Sequence, residues 1–311
     1  MKLLLNILSI IFVLGLVVTM SSPELQPTSY NIWLCSDPQI ASVNTNYSYK
    51  YWYDAVNDTN NMSYVDVAFV IGDCINGYPS HEYIPSWGEC VFGWSCFNKG
   101  YERLNVSMYK NIVVGNHDLE PYLGGVFWRS WFNMSPLVNG FFGNYTYQLG
   151  NILFVVLGCE YADVGGGHYR EQFSWFRSVV ENNSDKNIIV LSHYPLFMVY
   201  GTCHGLLFQT NYMNASDSWL YYGVLNCSPW VCLWANGHIH THSRGYILNG
   251  SCFFFDVDCI NYQSRCWSSF MGVMNQSKDV RIRFFNHLYD LWYLYPVNAR
   301  LFYVFNATME S

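Results

Sequence analysis

The stretch Ile112-Val113-Val114-Gly115-Asn116-His117-Asp118 decides how the chain is read: an apolar, β-rich run stops at a glycine, an amide, an imidazole and a carboxylate. Four other runs end in the same manner. Residues 31–35 precede Asp37, 65–71 precede Asp73, 188–191 precede His193, and 231–235 precede His238 and His240. All five read as buried strands, being short, apolar and rich in β-branched residues. The carboxyl ends of parallel strands face one crevice, so groups far apart in sequence can meet there. Carboxylate, amide oxygen and imidazole together suit a divalent ion of intermediate hardness such as Zn, Mn or Fe. A glycine at 115 permits the tight turn that aims Asn116 and His117 inward. The pair His238 and His240, two residues apart after a strand, can serve two different ions because side-chain direction alternates.

Composition narrows the classes. With 311 residues the chain can bury one large core, and a single catalytic domain over 22–311 is expected. The net charge of -7 and the 12% of charged residues exclude a basic surface for nucleic acid. Residues 1–21 carry Lys2, a continuous apolar run and then small polar residues, the pattern of a secretory signal peptide, with an uncleaved signal anchor as the alternative. No later segment is apolar for long enough to span a bilayer. Asn-x-Ser/Thr acceptors stand at Asn46, Asn57, Asn61, Asn105, Asn133, Asn144, Asn182, Asn214, Asn249, Asn275 and Asn306. Chance would supply about three or four, so N-glycans are expected on the surface. A twelfth, Asn226, is followed by Pro229 and is set aside. The 11 cysteines fit an oxidising compartment, with Cys90–Cys96 and Cys259–Cys266 as plausible bridges, and Cys35 reads as a packed core thiol.

Along the chain, residues 49–60 form a helix candidate. The stretch 74–100, with glycines, Pro79, tryptophans and cysteines, reads as a loop insertion. Residues 143–157 suggest two strands turning at Gly150-Asn151, and 169–181 a helix with Phe173, Phe176 and Val180 on one face. Beyond His240 the pattern turns to strands, near 245–248, 252–257, 280–285 and 301–305, which a second sheet would absorb.

Taken in order, Asp37-Pro38-Gln39, Gly72-Asp73, Gly115-Asn116-His117-Asp118, His193-Tyr194-Pro195 and Gly237-His238-Ile239-His240 resemble the calcineurin-like metallophosphoesterase superfamily. Its pattern is DxH, GD, GNH(D/E), a lone His and GHxH. The resemblance covers about residues 30 to 245 and implies an α/β fold, a two-sheet β-sandwich flanked by helices, with a dinuclear centre. It implies that Asp73 bridges two divalent or trivalent ions, that Asp37, Gln39 and His240 hold the first, and that Asn116, His193 and His238 hold the second. The reaction it implies is in-line attack on phosphorus by a bridging hydroxide, with His117 as acid or phosphate-oxygen donor.

Two positions depart from the superfamily pattern. Gln39 stands where His is common, though some branches look like DxQ. Asn76 stands where protein phosphatases carry an Asp that orients the catalytic His, and where purple acid phosphatases carry a Tyr iron ligand, so a tyrosinate-coloured site is not expected. Asp118 or the Asn76 amide is left to orient His117. The block His193-Tyr194-Pro195, followed by His204-Gly205, looks like the acid-phosphatase branch, with His204 reaching a substrate phosphate. These resemblances imply a phosphomonoesterase acting on a phosphorylated small molecule, and the N-terminal segment, the glycosylation acceptors and the cysteines place it in the secretory pathway. A phosphodiesterase acting on nucleotide, phospholipid or glycan-linked phosphate, and a metal-poor glycosylated binding protein on the same scaffold, are the alternatives.

Overall fold

The structure, a computed structural model, describes residues 29–40, 48–61, 65–76, 87–118, 143–159, 161–163, 166–196, 200–203, 206–209, 213, 215–238, 244–246, 252–257, 260–261, 265–274, 280–286 and 305–307. Strand β1 (Ser29–Cys35), helix α1 (Ser48–Asn61), β2 (Val67–Ile71), α2 (Trp87–Arg103) and β3 (Tyr109–Val113) come first, and a 3-10 turn (Asn116–Asp118) follows. Next are β4 (Tyr145–Leu149), β5 (Ile152–Leu157), the hairpin of β6 (Tyr161–Asp163) and β7 (Gly166–His168), and α3 (Phe173–Glu181). Then come β8 (Asn187–Ser192), the hairpin of β9 (Tyr200–Cys203) and β10 (Leu206–Gln209), α4 (Ala215–Asn226), β11 (Val231–Asn236), β12 (Arg244–Tyr246) and β13 (Phe253–Asp256). The chain closes with β14 (Ile260–Asn261), β15 (Arg265–Met274), β16 (Val280–Asn286) and β17 (Phe305–Ala307).

Two large sheets result. The first has the order β17-β16-β15-β1-β2-β3, with β14 against β15, and the second β12-β13-β11-β8-β5-β4. The strands β1, β2 and β3 are mutually parallel, as are β5, β8, β11 and β13. Alternation along each strand explains the layering. Ile32 and Leu34 of β1, and Val67, Phe69 and Ile71 of β2, point between the sheets to meet Phe154, Val156, Ile189 and Leu191. Trp33, Ala68, Val70 and Ile112 point the other way, onto Trp52, Trp94 and Phe97 of α1 and α2. On the far side, Val155, Val190 and Trp234 meet Phe176, Tyr221 and Leu225 of α3 and α4. The order is helix, sheet, sheet, helix, and it matches the expected two-sheet α/β class. Each large apolar side chain buried here contributes roughly 1.5–3 kcal/mol, which holds the strand ends where the site forms.

Three expectations change. The stretch read as a loop insertion contains α2, whose Cys90, Trp94 and Phe97 are buried at helical spacing. Its glycines hid the period, and one has a packing reason: a Cβ on Gly100 would lie 2.1 Å from Nε1 of Trp52. That indole N–H donates to the Phe97 carbonyl at 3.0 Å, so α1 and α2 approach closely. The C-terminal strands divide: β12 and β13 join the second sheet, while β14 to β17 extend the first. Cys90 and Cys96 form no disulfide. Six residues apart on one helix, they are about 9 Å apart along its axis and face different sides, beyond the ~7 Å a disulfide can span. Cys35, Cys74, Cys90, Cys96, Cys159, Cys227, Cys232 and Cys252 carry thiols; Cys259 lies outside the described residues. Cys35 is buried in the core, as expected, and burial beside Asp37 pushes its thiol well up. No helix of the described residues is long and apolar enough to cross a membrane.

Candidate metal centre

The parallel strands of both sheets end along one edge of the sandwich, and there the predicted ligands meet. Asp37 and Gln39 follow β1, Asp73 follows β2, Asn116 and His117 follow β3, His193 follows β8 and His238 follows β11. The local backbone is unusual. Asp37 (φ 50°), Gln39 (φ 42°), Asp73 (φ 52°) and His238 (φ 74°) all lie in the left-handed region, and among the described residues no other non-glycine does. Each such position costs about 1–3 kcal/mol and persists where the surroundings over-determine it. The surroundings here are two loops bonded to one another, with Asp37 N–H donating to the Gly72 carbonyl at 3.1 Å and Gln39 N–H to the Asp73 carbonyl at 2.9 Å.

Asp73 sits in the middle, with 1% exposure. Its Oδ1 lies 3.2 Å from Nε2 of His193 and accepts the His117 N–H at 2.9 Å. Its Oδ2 lies 3.8 Å from Nε2 of His117 and accepts from the Gln39 amide at 3.3 Å. Burial opposes ionisation of Asp73, but His193 and His117 outweigh it and hold the carboxyl well below the usual range. For His193, burial alone would lower the imidazole value, and the Asp73 charge overrides it, raising it to about 9. A second oxygen, Oδ1 of Asn116, approaches the same Nε2 at 3.1 Å. On the other side of the ring, Nδ1 donates to the Ile71 carbonyl at 2.9 Å. A carbonyl only accepts, so Nδ1 carries a proton whatever the charge of the ring, and Nε2 is turned toward the oxygens.

These residues fit a metal. One ligand atom each from Asp73, His193 and His238 all lie within 4.8 Å of one another. An imidazole whose far nitrogen is anchored to a carbonyl, with its near nitrogen among carboxylate and amide oxygens, is oriented as metal-binding histidines are. Asp37 is buried beside this group, and its Oδ2 accepts the His238 N–H at 3.0 Å and contacts the Ser36 hydroxyl. Ser36 also lies 2.7 Å from the Ile71 carbonyl, so that one carbonyl adjoins both His193 and the Ser36–Asp37 pair.

The structure brings Asp37, Gln39, Asp73, Asn116, His117, His193 and His238 together, and it treats the remaining candidates differently. Asp118 is buried and its carboxylate faces backbone, accepting N–H groups from Cys74 (2.9 Å) and Ile75 (3.3 Å) on one oxygen and Gly115 (3.0 Å) on the other. Instead of orienting His117, it ties the loop after β3 to the loop after β2. Burial and the Asp73 charge raise its carboxyl above the usual range, and the Gly115 and Ile75 N–H groups and the His193 charge pull the other way. Asn76 is exposed, its N–H donating to the Ile40 carbonyl at 3.2 Å. His204 and His240 lie outside the described residues, as do the acceptors Asn46, Asn133, Asn214, Asn249 and Asn275. Asn57, Asn61, Asn105 and Asn182 are exposed, Asn306 lies on β17, and Asn144 is buried.

Two residues escaped the sequence reading. Ser36, next to Asp37, has no signal beyond adjacency. Tyr194 was visible only as the middle of a block, yet its ring lies 4.2 Å from that of His238.

Fold and site together define a metal-dependent hydrolase. The model of the calcineurin-like phosphoesterase family matches residues 30–242, so the chain belongs to that family. It is a hydrolase acting on phosphoester bonds, and the family implies a dinuclear metal site. Among solved structures, the chain is similar to a dimetal phosphatase from Danio rerio, with TM-score 0.64, 14% identity, and coverage of 85% of this chain and 98% of the other. It is also similar to the purple acid phosphatase PPD1 from yellow lupin, with TM-score 0.59, 14% identity, and coverage of 84% and 52%. A search of curated proteins by sequence finds no match.

Proposed function

We propose that this phosphoesterase hydrolyses phosphate monoesters of small molecules, as an N-glycosylated protein of the secretory-pathway lumen or the cell exterior. In this reading residues 1–21 are a signal peptide and 22–311 one catalytic domain. Asp37, Gln39, Asp73 and His240 hold the first ion; Asp73, Asn116, His193 and His238 hold the second. The observation that supports it most is the backbone: four of the seven proposed ligand positions carry left-handed strain that, among the described residues, is otherwise seen only at glycine. Strain concentrated at such positions serves a site.

Bound ions, whether Zn, Mn or Fe, supply Lewis-acid stabilisation of phosphoryl oxygens and a nucleophile formed from water at neutral pH. The protein's own groups do the rest. His117, with its side chain 22% exposed, stands at the mouth of the site and donates a proton to the leaving oxygen. Asp118 holds the turn that presents it. Asn76 and His204 contact the substrate phosphate. The monoester preference rests on the similarity of His193-Tyr194-Pro195 and His204 to the acid-phosphatase branch.

Elemental analysis joined to paired hydrolysis assays tests this reading. Expected are about two ions per chain, chelator-sensitive activity, and faster turnover of an aryl phosphomonoester than of its bis-aryl diester. Faster diester cleavage would assign the site to phosphodiesters. Fewer than about one ion per chain with no chelator-sensitive hydrolysis would leave a binding protein on this scaffold.

A further inference from the structure

In parallel sheets, each helix returns the chain from the carboxyl edge of one strand to the amino edge of the next. The C-termini of α1, α2 and α3 therefore gather on the edge opposite Asp73 and His193. Four glycosylation acceptors lie there. Asn57 and Asn61 are exposed on the final turns of α1, ahead of β2. Asn105 is exposed between α2 and β3, and its N–H donates to Oδ1 of Asn60 at 2.8 Å. Nδ2 of Asn60 donates to the Arg103 carbonyl at 2.9 Å, which joins the ends of the two helices. Asn182 is the exposed C-cap of α3, ahead of β8. Nearby, the Trp230 indole donates to the Val180 carbonyl at 2.9 Å, anchoring that helix end to the start of β11. Asn226, the sequon followed by Pro229, is exposed at the end of α4 on this same edge.

Asn144 is on the other edge. Tyr145 pairs with Val156, so Asn144 adjoins the carboxyl end of β5, and the Tyr145 hydroxyl donates to the Ile112 carbonyl at 3.2 Å, near the end of β3. Asn144 is 3% exposed, with both polar side-chain atoms buried. An oligosaccharide on that amide has no route to solvent in the folded chain, whereas those on the four exposed residues enter water directly.

We infer that the protein carries N-glycans on its amino edge, at Asn57, Asn61, Asn105 and Asn182, and that Asn144 stays bare. The inference rests on the secretory reading above. Glycans so placed cover the end of the sandwich remote from the metal centre and do not screen substrate from it.

The full-length chain, made in a eukaryotic secretory host, is deglycosylated enzymatically in heavy-oxygen water, so that each glycan-bearing Asn becomes labelled Asp, and its peptides are weighed. Label at the four amino-edge residues and none at Asn144 is expected. Label at Asn144, or absence at the four while other sequons are labelled, overturns the edge assignment and leaves the secretory reading standing. A chain retained in the cytosol without label overturns both. As a second readout, native deglycosylation should leave KM for an aryl phosphate unchanged within about twofold, and a fall of roughly tenfold would put glycans over the mouth of the site.

Discussion

His193 of the second sheet donates its Nδ1 proton to the carbonyl of Ile71 in the first, at 2.9 Å. Two residues after Ile71 comes Asp73, whose Oδ1 lies 3.2 Å from the other nitrogen of the same ring. One imidazole thus spans the seam between the sheets, and its protonation follows that of the site.

Metal binding should expel a proton. Without metal the Asp73 charge raises His193 to about 9, so at neutral pH the ring is an imidazolium, whereas a metal needs Nε2 bare. Zinc titrations by calorimetry, in buffers of different ionisation enthalpy, should report release of about one proton near pH 7.5. Affinity should rise with pH toward that value. A binding enthalpy independent of buffer would reject this.

The same shift bears on stability. Its folded value lies above the ordinary 6.5, so the stability it contributes to the metal-free protein is complete below about 6.5 and lost as pH rises through about 9. Chelator-treated protein should therefore melt at a lower temperature at pH 9 than at pH 7, as followed by calorimetry. A constant or rising Tm would contradict the link.

Gly115→Ala should damage the centre more than the fold. Its Cβ would lie 2.3 Å from both N and Oδ1 of Asp73. Relief requires the carboxylate to move, at about 1–3 kcal/mol for overpacking. Metal content should fall while circular dichroism stays native. Full metal content in this variant would show that Asp73 is not held there.

Asp118 and His117 should separate cleanly. Asp118→Asn replaces one acceptor oxygen with a donor facing N–H groups, and a buried unsatisfied group costs about 1–3 kcal/mol. The expected result is a lower Tm with loss of activity. His117→Ala should keep Tm and metal content while kcat falls by about 10²–10⁴ for a lost proton donor. If Asp118→Asn keeps its Tm and loses only kcat, Asp118 acts through His117 after all.

Tyr194 is a positioning residue for His238. It is buried, its ring is 4.2 Å from the imidazole, and its N–H donates to the Tyr169 hydroxyl at 3.3 Å. Tyr194→Leu should weaken metal binding by roughly 10- to 100-fold, the range for supporting residues. Tyr194→Phe, which keeps the ring, should restore it. Equal weakening in both variants would refute a role for the ring.

Much of the fold was legible because β2, β8 and β11 are buried along their whole length, and the ends of β1 and β3 that lead into the ligand blocks are buried and apolar as well. Their ends fell within a few residues of those expected, and the family match covers the same region. Helix α2 was not legible, since the glycines that let it approach α1 also look like loop residues. The Cys90–Cys96 bridge was inferred from proximity in sequence, which a helix turns into separation in space. Asp118 could not be assigned by type, because a carboxylate beside a histidine looks the same whether it faces the ring or the backbone.

The amino-acid sequence alone located the candidate donor groups: Asp37, Asp73, Asn116, His193 and His238 each follow a run whose local chemistry makes a strand. Tertiary structure alone decided that β1, β2 and β3 belong to one sheet and β8 and β11 to the other. It also decided that Ile71 receives His193, and that Asp37, Gln39, Asp73 and His238 take left-handed backbone. The reason is physical. A continuous apolar run reports that both faces of a strand are buried, but not which element covers each. Strain at a residue is sustained by the loops packed around it, which come from elsewhere in the chain.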